Sequence, residues 1–459
     1  MKSKALSTSL QSLSKFPILG NLEVEINVEE NELQLPVESL FKMAARINKK
    51  RAFLFVSKVL GKHLRVNPLD PLIISALLAL RYHGTSEYEE RMVRALLSDQ
   101  TNQKKTAYEA FLSKKIELQQ ESIVVGFAET ATALGHGVFD SFSNAQYIHT
   151  TREEILGDNP LLTFEEEHSH AVDQRCYSSH HFFENEKPII LVDDEMTTGK
   201  TTINIIRDIH AKYPRNQYGV LSILDWRSEE HIEAFRQLEQ ELNISIQTVS
   251  LLKGSFRCYG EPLLNEFTIE QGDKINSLPT IDRVDLSNVF TPSSFVPIKG
   301  SRASYVHESG RFGLDSKEAL RVQHACKMAA EMITRQGTED EVLCIGTGEF
   351  MYIPMKIATY MDGNVYYQSS TRSPIHCHNE ESYAIQNKIS YLNPEENNTT
   401  HFLYNIELNR FNHVILFFER SVEVKKMNTL LSYFHKQGVQ RVTIVECSKD
   451  KEEESCSQG

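Results

Sequence analysis

Two adjacent carboxylates and a loop rich in hydroxyl groups stand together near the middle of the 459-residue chain. Asp193 and Asp194 follow the apolar run 189–192, and the sequence Thr-Thr-Gly-Lys-Thr occupies residues 197–201. Isoleucines at helical spacing predict a helix from there to Pro214. Small residues at a helix N-terminus offer backbone N–H groups to a phosphate, and paired carboxylates can accept hydrogen bonds from vicinal hydroxyls. The pattern therefore predicts a site for a phosphorylated sugar.

A nucleotide-binding P-loop is the main competing interpretation, because Gly199-Lys200-Thr201 resembles the end of the motif G-x-x-x-x-G-K-[ST]. The first glycine of that motif would fall at position 194, which is an aspartate. Two carboxylates beside a polyphosphate would repel it. We therefore set the P-loop interpretation aside.

The strand, the two acids and the loop resemble the ribose-5-phosphate loop of type I phosphoribosyltransferases. The resemblance implies that Asp193 and Asp194 hold the ribose hydroxyls of 5-phosphoribosyl 1-pyrophosphate. It also implies that Mg²⁺ accompanies this co-substrate, so we expect no dedicated metal site in the protein. The residues implied to wrap the 5-phosphate are Thr197, Thr198, Gly199, Lys200 and Thr201.

Further elements of the same family occur in the expected order. Small residues follow the strand 123–125 at the place of the loop that binds pyrophosphate, and Arg152 lies where the family has a cation on that group. Residues 162–180 correspond to a mobile lid, which would exclude water from the activated sugar. The candidate lid residues, for which a polar solvent-exposed loop is the alternative, are Glu167, His168, Ser169 and His170. The candidate residues of the pyrophosphate loop are Gly126, Phe127, Ala128, Glu129 and Thr130.

A narrower resemblance covers nearly the whole chain. It lies in segments 45–48, 53–63, 167–171, 225–227 and 371–374, the last of which reads Thr-Arg-Ser-Pro. The sequence is similar to orotate-phosphoribosyltransferase-like proteins with a C-terminal TRSP domain, which occur with bacterial tellurite-resistance and stress gene clusters. This resemblance implies a homodimeric phosphoribosyltransferase that helps other enzymes of its cluster to make a nucleoside-like metabolite. It also implies that Lys58 and Lys62 lie in a hood over the active site, where they contact an anionic acceptor or the pyrophosphate.

Strands that alternate with helices must position these groups. Apolar strand-like runs recur at 51–56, 122–125, 145–149, 188–192, 219–224 and 245–252, with helical patterns between them. Such alternation predicts an α/β fold with a mainly parallel sheet, which the resemblance identifies with the type I phosphoribosyltransferase fold. The domains we expect are an N-terminal extension at 1–40, the phosphoribosyltransferase domain at 41–255, a linker at 256–308, the TRSP domain at 309–448 and a disordered acidic tail at 449–459.

The second half reads as a faint copy of the first. The two Gly-x-x-Glu sequences, which end at Glu129 and Glu349, are separated by the same number of residues as the two Thr-Arg pairs at 151–152 and 371–372. A degenerate duplicate α/β domain is therefore predicted, with two generic α/β units as the alternative. Phe418 replaces Asp193 in the copy, so the copy cannot bind ribose phosphate in the same way. We expect it to bind the acceptor, a product or a partner enzyme, or else to be a structural cover, and its candidate site comprises Glu349, Thr371, Arg372 and Ser373.

Composition and charge exclude several classes of protein. A net charge of −13 disfavours a nucleic-acid or anionic-membrane role, although residues 41–66 carry eight cations and no acid. The absence of a long apolar run or a secretory segment predicts a cytoplasmic protein that does not enter the membrane. Seven scattered cysteines without a Cys-x-x-Cys pair predict neither a disulfide framework nor a zinc site.

Two other functions could use the same site. A non-catalytic regulator would bind phosphoribosyl pyrophosphate or a nucleotide and act on a partner. A glycosidic-bond hydrolase or phosphorylase would run the transfer chemistry in reverse. The acids, both loops and the lid together favour catalysis, because a regulator does not need a lid.

Overall fold

The computed structural model describes residues 12–46, 51–164, 174–178, 180–264, 278–298, 303–335, 341–380, 382–396 and 399–449. The four candidate lid residues at 167–170 lie outside these ranges, as does the acidic tail from residue 450 onwards. Within the described ranges, every helix is too short or too polar to span a lipid bilayer.

The elements alternate along the chain as the sequence predicts. The strands are β1 (Ser12–Leu19), β2 (Leu22–Glu30), β3 (Phe41–Ala45), β4 (Phe53–Ser57), β5 (Ser122–Gly126), β6 (Ala145–His149), β7 (Leu162–Phe164), β8 (Gln174–Cys176), β9 (Ile189–Met196), β10 (Gln217–Asp225), β11 (Ser245–Tyr259), β12 (Thr280–Asp285), β13 (Leu314–Asp315), β14 (Glu341–Gly346), β15 (Asn364–Ser369), β16 (Lys388–Leu392), β17 (Thr400–Tyr404), β18 (His413–Phe418) and β19 (Arg441–Glu446). The helices are α1 (Val37–Leu40), α2 (Asp70–His83), α3 (Glu89–Leu96), α4 (Thr101–Leu112), α5 (Ala131–Asp140), α6 (Lys200–Lys212), α7 (Glu229–Leu242), α8 (Ser316–Thr334), α9 (Tyr352–Ala358) and α10 (Asn428–Lys436).

The first half is built on an eight-stranded sheet in the order β1-β2-β11-β10-β9-β5-β6-β13. Its centre, from β11 to β6, is parallel, and antiparallel strands close both edges. Every residue of β5 is buried, as expected for a parallel strand covered on both faces. The predicted α/β fold with a parallel sheet is confirmed.

The second half repeats the central part of this sheet. Its five strands lie in the order β12-β19-β18-β14-β15, all of them parallel, so β19-β18-β14-β15 matches β10-β9-β5-β6 strand for strand. In the sequence, the antiparallel pair β16–β17 lies between β15 and β18, just as the antiparallel pair β7–β8 lies between β6 and β9. Shared order, direction and inserted hairpin support the predicted duplication.

The expected domain boundaries stay predictions, and strands from outside the two expected domains join the sheets. Strands β1 and β2, inside the expected N-terminal extension, belong to the first sheet. Strand β11 continues to Tyr259, and β12 forms an edge of the second sheet. The segment 256–308 therefore contributes strand residues to both sheets, through the end of β11 and through β12.

The hood, which comprises residues 41–66, is attached to the second half of the chain. Strands β3 and β4 form an antiparallel hairpin, and Arg46 makes a bridge to Ile375. Further along, Val66 pairs with Tyr367, and the backbone N–H of Ser369 donates to the carbonyl of Gly61 at 2.7 Å. The hood therefore depends on the second half for its position.

Helices α5 and α9, which occupy equivalent places in the two halves, pack against each other. The ring of His136 stacks on that of Tyr352 with centroids 3.6 Å apart. Beside them, Lys356 Nζ lies 3.0 Å from Asp140 Oδ2, and both side chains are buried. One apolar core extends across this contact, with Val138 and Ile353 among its members.

We expect Asp140→Asn to destabilise the chain by about 3 kcal/mol, because it leaves the buried cation of Lys356 without its counter-charge. Urea unfolding followed by circular dichroism measures the effect. The control is Glu241→Gln, which removes the acid of an exposed pair with Arg207 and should hardly change the unfolding midpoint. Equal midpoints for the two variants would contradict a structural role for the buried pair.

Candidate active site

Three loops meet at the carboxyl ends of neighbouring strands β9, β5 and β6. The backbone N–H of Phe127 donates to the carbonyl of Val192 at 3.1 Å, and that of Thr150 donates to the carbonyl of Gly126 at 3.0 Å. The hydroxyl of Thr150 also accepts from the N–H of Ala128 at 2.8 Å. These bonds fix the candidate pyrophosphate loop between the other two loops. Such a crevice at the carboxyl ends of parallel strands is where α/β folds bind ligands.

The two acids directly follow Val192, whose carbonyl accepts from the candidate pyrophosphate loop. Asp193 and Asp194 are partly exposed, and the N–H of Asp194 donates to Asp193 Oδ1 at 2.9 Å. Burial raises the pKa of Asp194 above its ordinary value. The next residue, Glu195, is held by Arg51 at 2.7 Å. The ion pair directs Glu195 to the hood and leaves the two aspartates as the acids of the crevice.

The loop after the acids turns sharply into α6. Gly199 has φ = +73°, a conformation that side chains disfavour, and a Cβ there would lie 2.5 Å from the ring of Phe235. Thr197, Thr198 and Thr201 are partly exposed around this turn, and Lys200 is exposed at the first position of the helix. The loop therefore holds three partly exposed hydroxyl groups and one exposed cation at the start of α6.

The candidate pyrophosphate loop is mostly buried, and it contains one acid, Glu129. Phe127, Ala128 and Glu129 are all buried, and the Ala128–Glu129 peptide bond is cis. Glu129 Oε1 lies 2.8 Å from Lys62 Nζ. Burial alone would raise the pKa of Glu129, but the charge of Lys62, with a smaller effect of His401, lowers it to about 2. Glu129 is therefore a carboxylate whose charge Lys62 compensates. The remaining loop residues are Gly126, which is buried, and Thr130, which is partly exposed.

The two hood lysines occupy different surroundings. Lys62 is buried, and its Nζ also donates to the carbonyl of Gly348 at 3.1 Å. Lys58 Nζ donates to the carbonyl of Glu38 at 2.7 Å and lines a cavity of about 710 Å³ between the hood and the second half. Burial, followed by the charge of Lys42, lowers the pKa of Lys58. The described lining of that cavity includes neither the two aspartates nor residues 197–201. The structure thus joins Lys62, but not Lys58, to the loops of the crevice.

Arg152 follows β6 at the boundary between the halves. It lines a cavity of about 220 Å³ together with Arg372 and Glu396. Its charge is among those that lower the pKa of Glu129. The predicted cation is therefore close to the predicted pyrophosphate loop.

The candidate residues of the second half contact the first half. The side chain of Glu349 accepts from Thr151 Oγ1 at 2.6 Å, and Thr371 Oγ1 donates to Glu129 at 3.3 Å. Arg372 holds Glu396 through two bonds of 2.8 and 2.9 Å, and the N–H of Ser373 donates to the hydroxyl of Thr371.

Buried charges that the sequence did not reveal fill the equivalent crevice in the second half. Arg311 pairs with Glu349 at 2.5 Å and with Glu419 at 2.8 Å. Arg420 pairs with Glu153 at 3.0 Å. Arg311 stands alone between glycine-containing turns, so no spacing rule points to it. In place of Asp193 and its loop, the copy has an apolar residue followed by ion pairs.

Two family models match the chain. The one described as a phosphoribosyl transferase matches residues 40–255, and the one described as the TRSP domain C-terminal to it matches residues 308–434. A comparison with curated proteins finds no significant match.

Among solved structures, the chain is similar to adenine phosphoribosyltransferases. For that of Trypanosoma brucei the identity is 14%, with 55% of this chain and 92% of that chain covered and a TM-score of 0.31. For that of Leishmania tarentolae the identity is 11%, the coverage 49% and 90%, and the TM-score 0.30. The similarity of the chain to phosphoribosyl transferases therefore rests on the two family models.

Gly199→Ala should lower the affinity for ribose 5-phosphate on the order of tenfold, because the new Cβ displaces the loop from the ring of Phe235. Titration calorimetry with ribose 5-phosphate measures this. Gly84→Ala is the matched control: it also has a positive φ, of +80°, but its Cβ would meet open space. Equal affinities for the two variants would contradict a close fit of the loop.

Glu395 in the second half predicts a pH effect. Burial raises its pKa from 4.5 to about 7, although Arg420 opposes part of the rise. Protonation therefore favours the fold, and this stability is lost as pH rises through about 7. We expect the stability of Glu395→Gln relative to the wild type to increase as pH rises from 4.5 to about 7, the interval between the ordinary and the raised pKa of Glu395. Urea unfolding at several pH values, with the exposed Glu380→Gln as control, measures the difference. A difference that does not change with pH would contradict the assignment.

Proposed function

We propose that this chain, a member of the phosphoribosyltransferase family with a C-terminal TRSP domain, transfers phosphoribose from 5-phosphoribosyl 1-pyrophosphate to a nitrogenous base or base-like acceptor and releases pyrophosphate. The observation that carries the proposal is the crevice in which Asp193 and Asp194 stand beside the loop 197–201. Carboxylates there accept from the ribose hydroxyls, and the loop donates to the 5-phosphate.

In the transfer reaction, the main task of the protein is to position the substrates and to stabilise the charges that develop. As pyrophosphate leaves the anomeric carbon, positive charge develops on the sugar and negative charge on the leaving group. Asp193 and Asp194 lie on the sugar side, where their charge favours the developing cation. Arg152 and the backbone of the loop 126–130 lie on the leaving-group side. This separation of charge along one crevice suits group transfer.

Mg²⁺ fits this site as a companion of the substrate. Among the residues that the structure describes, no three His, Cys, Asp or Glu side chains gather as ligands for a metal ion. Asp193 and Asp194 supply the hard oxygen atoms that Mg²⁺ prefers, either directly or through water. Bound Mg²⁺ would neutralise charge on the pyrophosphate.

The acceptor and the product follow from the resemblance of the sequence. A base-like acceptor gives a nucleotide, and we propose that it feeds a nucleoside-like metabolite linked to stress or tellurite resistance. We also propose that the residues 167–170 serve to exclude water from the bound sugar, as the resemblance implies.

The double variant Asp193→Asn/Asp194→Asn should lose affinity for phosphoribosyl pyrophosphate with Mg²⁺ by on the order of 100-fold, because charge-assisted bonds to the ribose become neutral ones. Titration calorimetry measures the affinity. Asp208→Asn, an exposed aspartate of α6, is the control and should bind as the wild type does.

Pyrophosphate release with a panel of bases then separates the two main functions. Release with at least one base supports transfer. Tight binding without release for any base would favour a regulator, and no binding by the wild type would contradict both.

A further inference from the structure

Each half of the chain extends a Thr-Arg pair to a glutamate of the other half. From the second half, Thr371 Oγ1 donates to Glu129 Oε2 at 3.3 Å, and the N–H of Arg372 donates to the same oxygen at 3.4 Å. Lys62 occupies the other oxygen. The acid of the candidate pyrophosphate loop is therefore held by a residue pair from the opposite half and by one cation.

The reverse contact has the same form. Thr151 Oγ1 donates to Glu349 Oε2 at 2.6 Å, and the N–H of Arg152 donates to Glu349 Oε1 at 2.8 Å. Here the cation is Arg311. In symmetric dimers, the same two groups meet twice across a two-fold axis. The two halves of this chain reproduce that rule within a single polypeptide.

The backbone around these contacts follows the same symmetry. Thr151 exchanges two backbone hydrogen bonds with Arg175, at 2.7 and 2.8 Å, and Thr371 exchanges two with Phe402, at 3.0 and 2.7 Å. Each threonine thus links the end of one strand to the hairpin of its own half. The side chains reach across from matching frameworks, so the exchange reflects the duplicated fold and is not an isolated contact.

The exchanged contacts have different consequences for Glu129 and Glu349, because only the first half has the two aspartates Asp193 and Asp194. Glu349 lies in the crevice of the copy, which its own ion pairs fill. Glu129 lies in the loop expected to receive an anion. A carboxylate there would repel pyrophosphate unless its charge were compensated and its oxygen atoms directed away from the ligand. Lys62 supplies the charge, and Thr371 and Arg372 supply donors that orient the carboxylate.

We propose that the C-terminal half acts as a built-in second subunit, in which Thr371 and the backbone of Arg372 position the pyrophosphate loop through Glu129 and the carbonyl of Gly348 positions Lys62. The proposal rests on the proposed function and adds a role for the TRSP domain in it. These are positioning residues, since they act on the ligand through Glu129 and Lys62. The second half therefore contributes to binding of the leaving group and not of the sugar.

The test compares two probes that report on different loops. Inorganic pyrophosphate with Mg²⁺ reports on residues 126–130, and ribose 5-phosphate reports on residues 193–201. Thr371→Val removes the donor with little change in volume and should weaken pyrophosphate roughly tenfold while leaving ribose 5-phosphate unchanged. Thr371→Ser keeps a hydroxyl and should restore the affinity for pyrophosphate. Titration calorimetry on the full chain measures both.

Thr334→Val is the matched control, because its hydroxyl donates to the carbonyl of Ala330 within its own helix α8. Its pyrophosphate affinity should stay at the wild-type value, and urea unfolding checks that Thr371→Val, which also loses the acceptor of the Ser373 N–H, remains folded during the titrations. The proposal is overturned if Thr371→Val binds pyrophosphate as the wild type does, or if it weakens both probes equally. A wild type that binds neither probe would instead overturn the proposed function, and this proposal with it.

Discussion

A buried carboxylate needs compensation, and Glu129 obtains it from three parts of the chain at once. Its loop follows β5, its cation Lys62 comes from the hood, and its donors come from Thr371 and Arg372 of the second half. An isolated charge in such a place would be costly, so the three parts must be assembled together. The candidate pyrophosphate loop, the hood and the TRSP domain are therefore linked through one side chain.

The local part of the site could be predicted from the sequence, because it is contiguous. Asp193, Asp194 and the loop 197–201 follow one strand and begin one helix, so spacing alone predicts their neighbourhood. The duplicated strands could be predicted as well, since the offset between Glu129 and Glu349 survives in the structure as equivalent strand ends. The first prediction rests on adjacency in the sequence, and the second rests on short motifs that recur at one spacing.

The long-range part could not be predicted in the same way. Lys62 is separated from Gly348 by most of the chain, and nothing in its neighbours distinguishes it from Lys58. The cation-rich hood suggested a surface for an anion. In the structure, Arg51, Lys62 and Arg65 each pair with an acid from another part of the chain, so much of that charge is used internally. Strand β12 likewise joins the second sheet from a segment whose polar sequence predicted a linker.

The difference between Asp193 and its counterpart Phe418 also bears on how such a protein can diverge. In a homodimer one gene encodes both subunits, so a substitution that removes a catalytic acid removes it from both sites. In a tandem arrangement the two copies mutate independently, while the peptide chain keeps them at a high effective concentration. One copy can then carry apolar contacts and ion pairs where the other carries Asp193, as Phe418 and Glu419 illustrate.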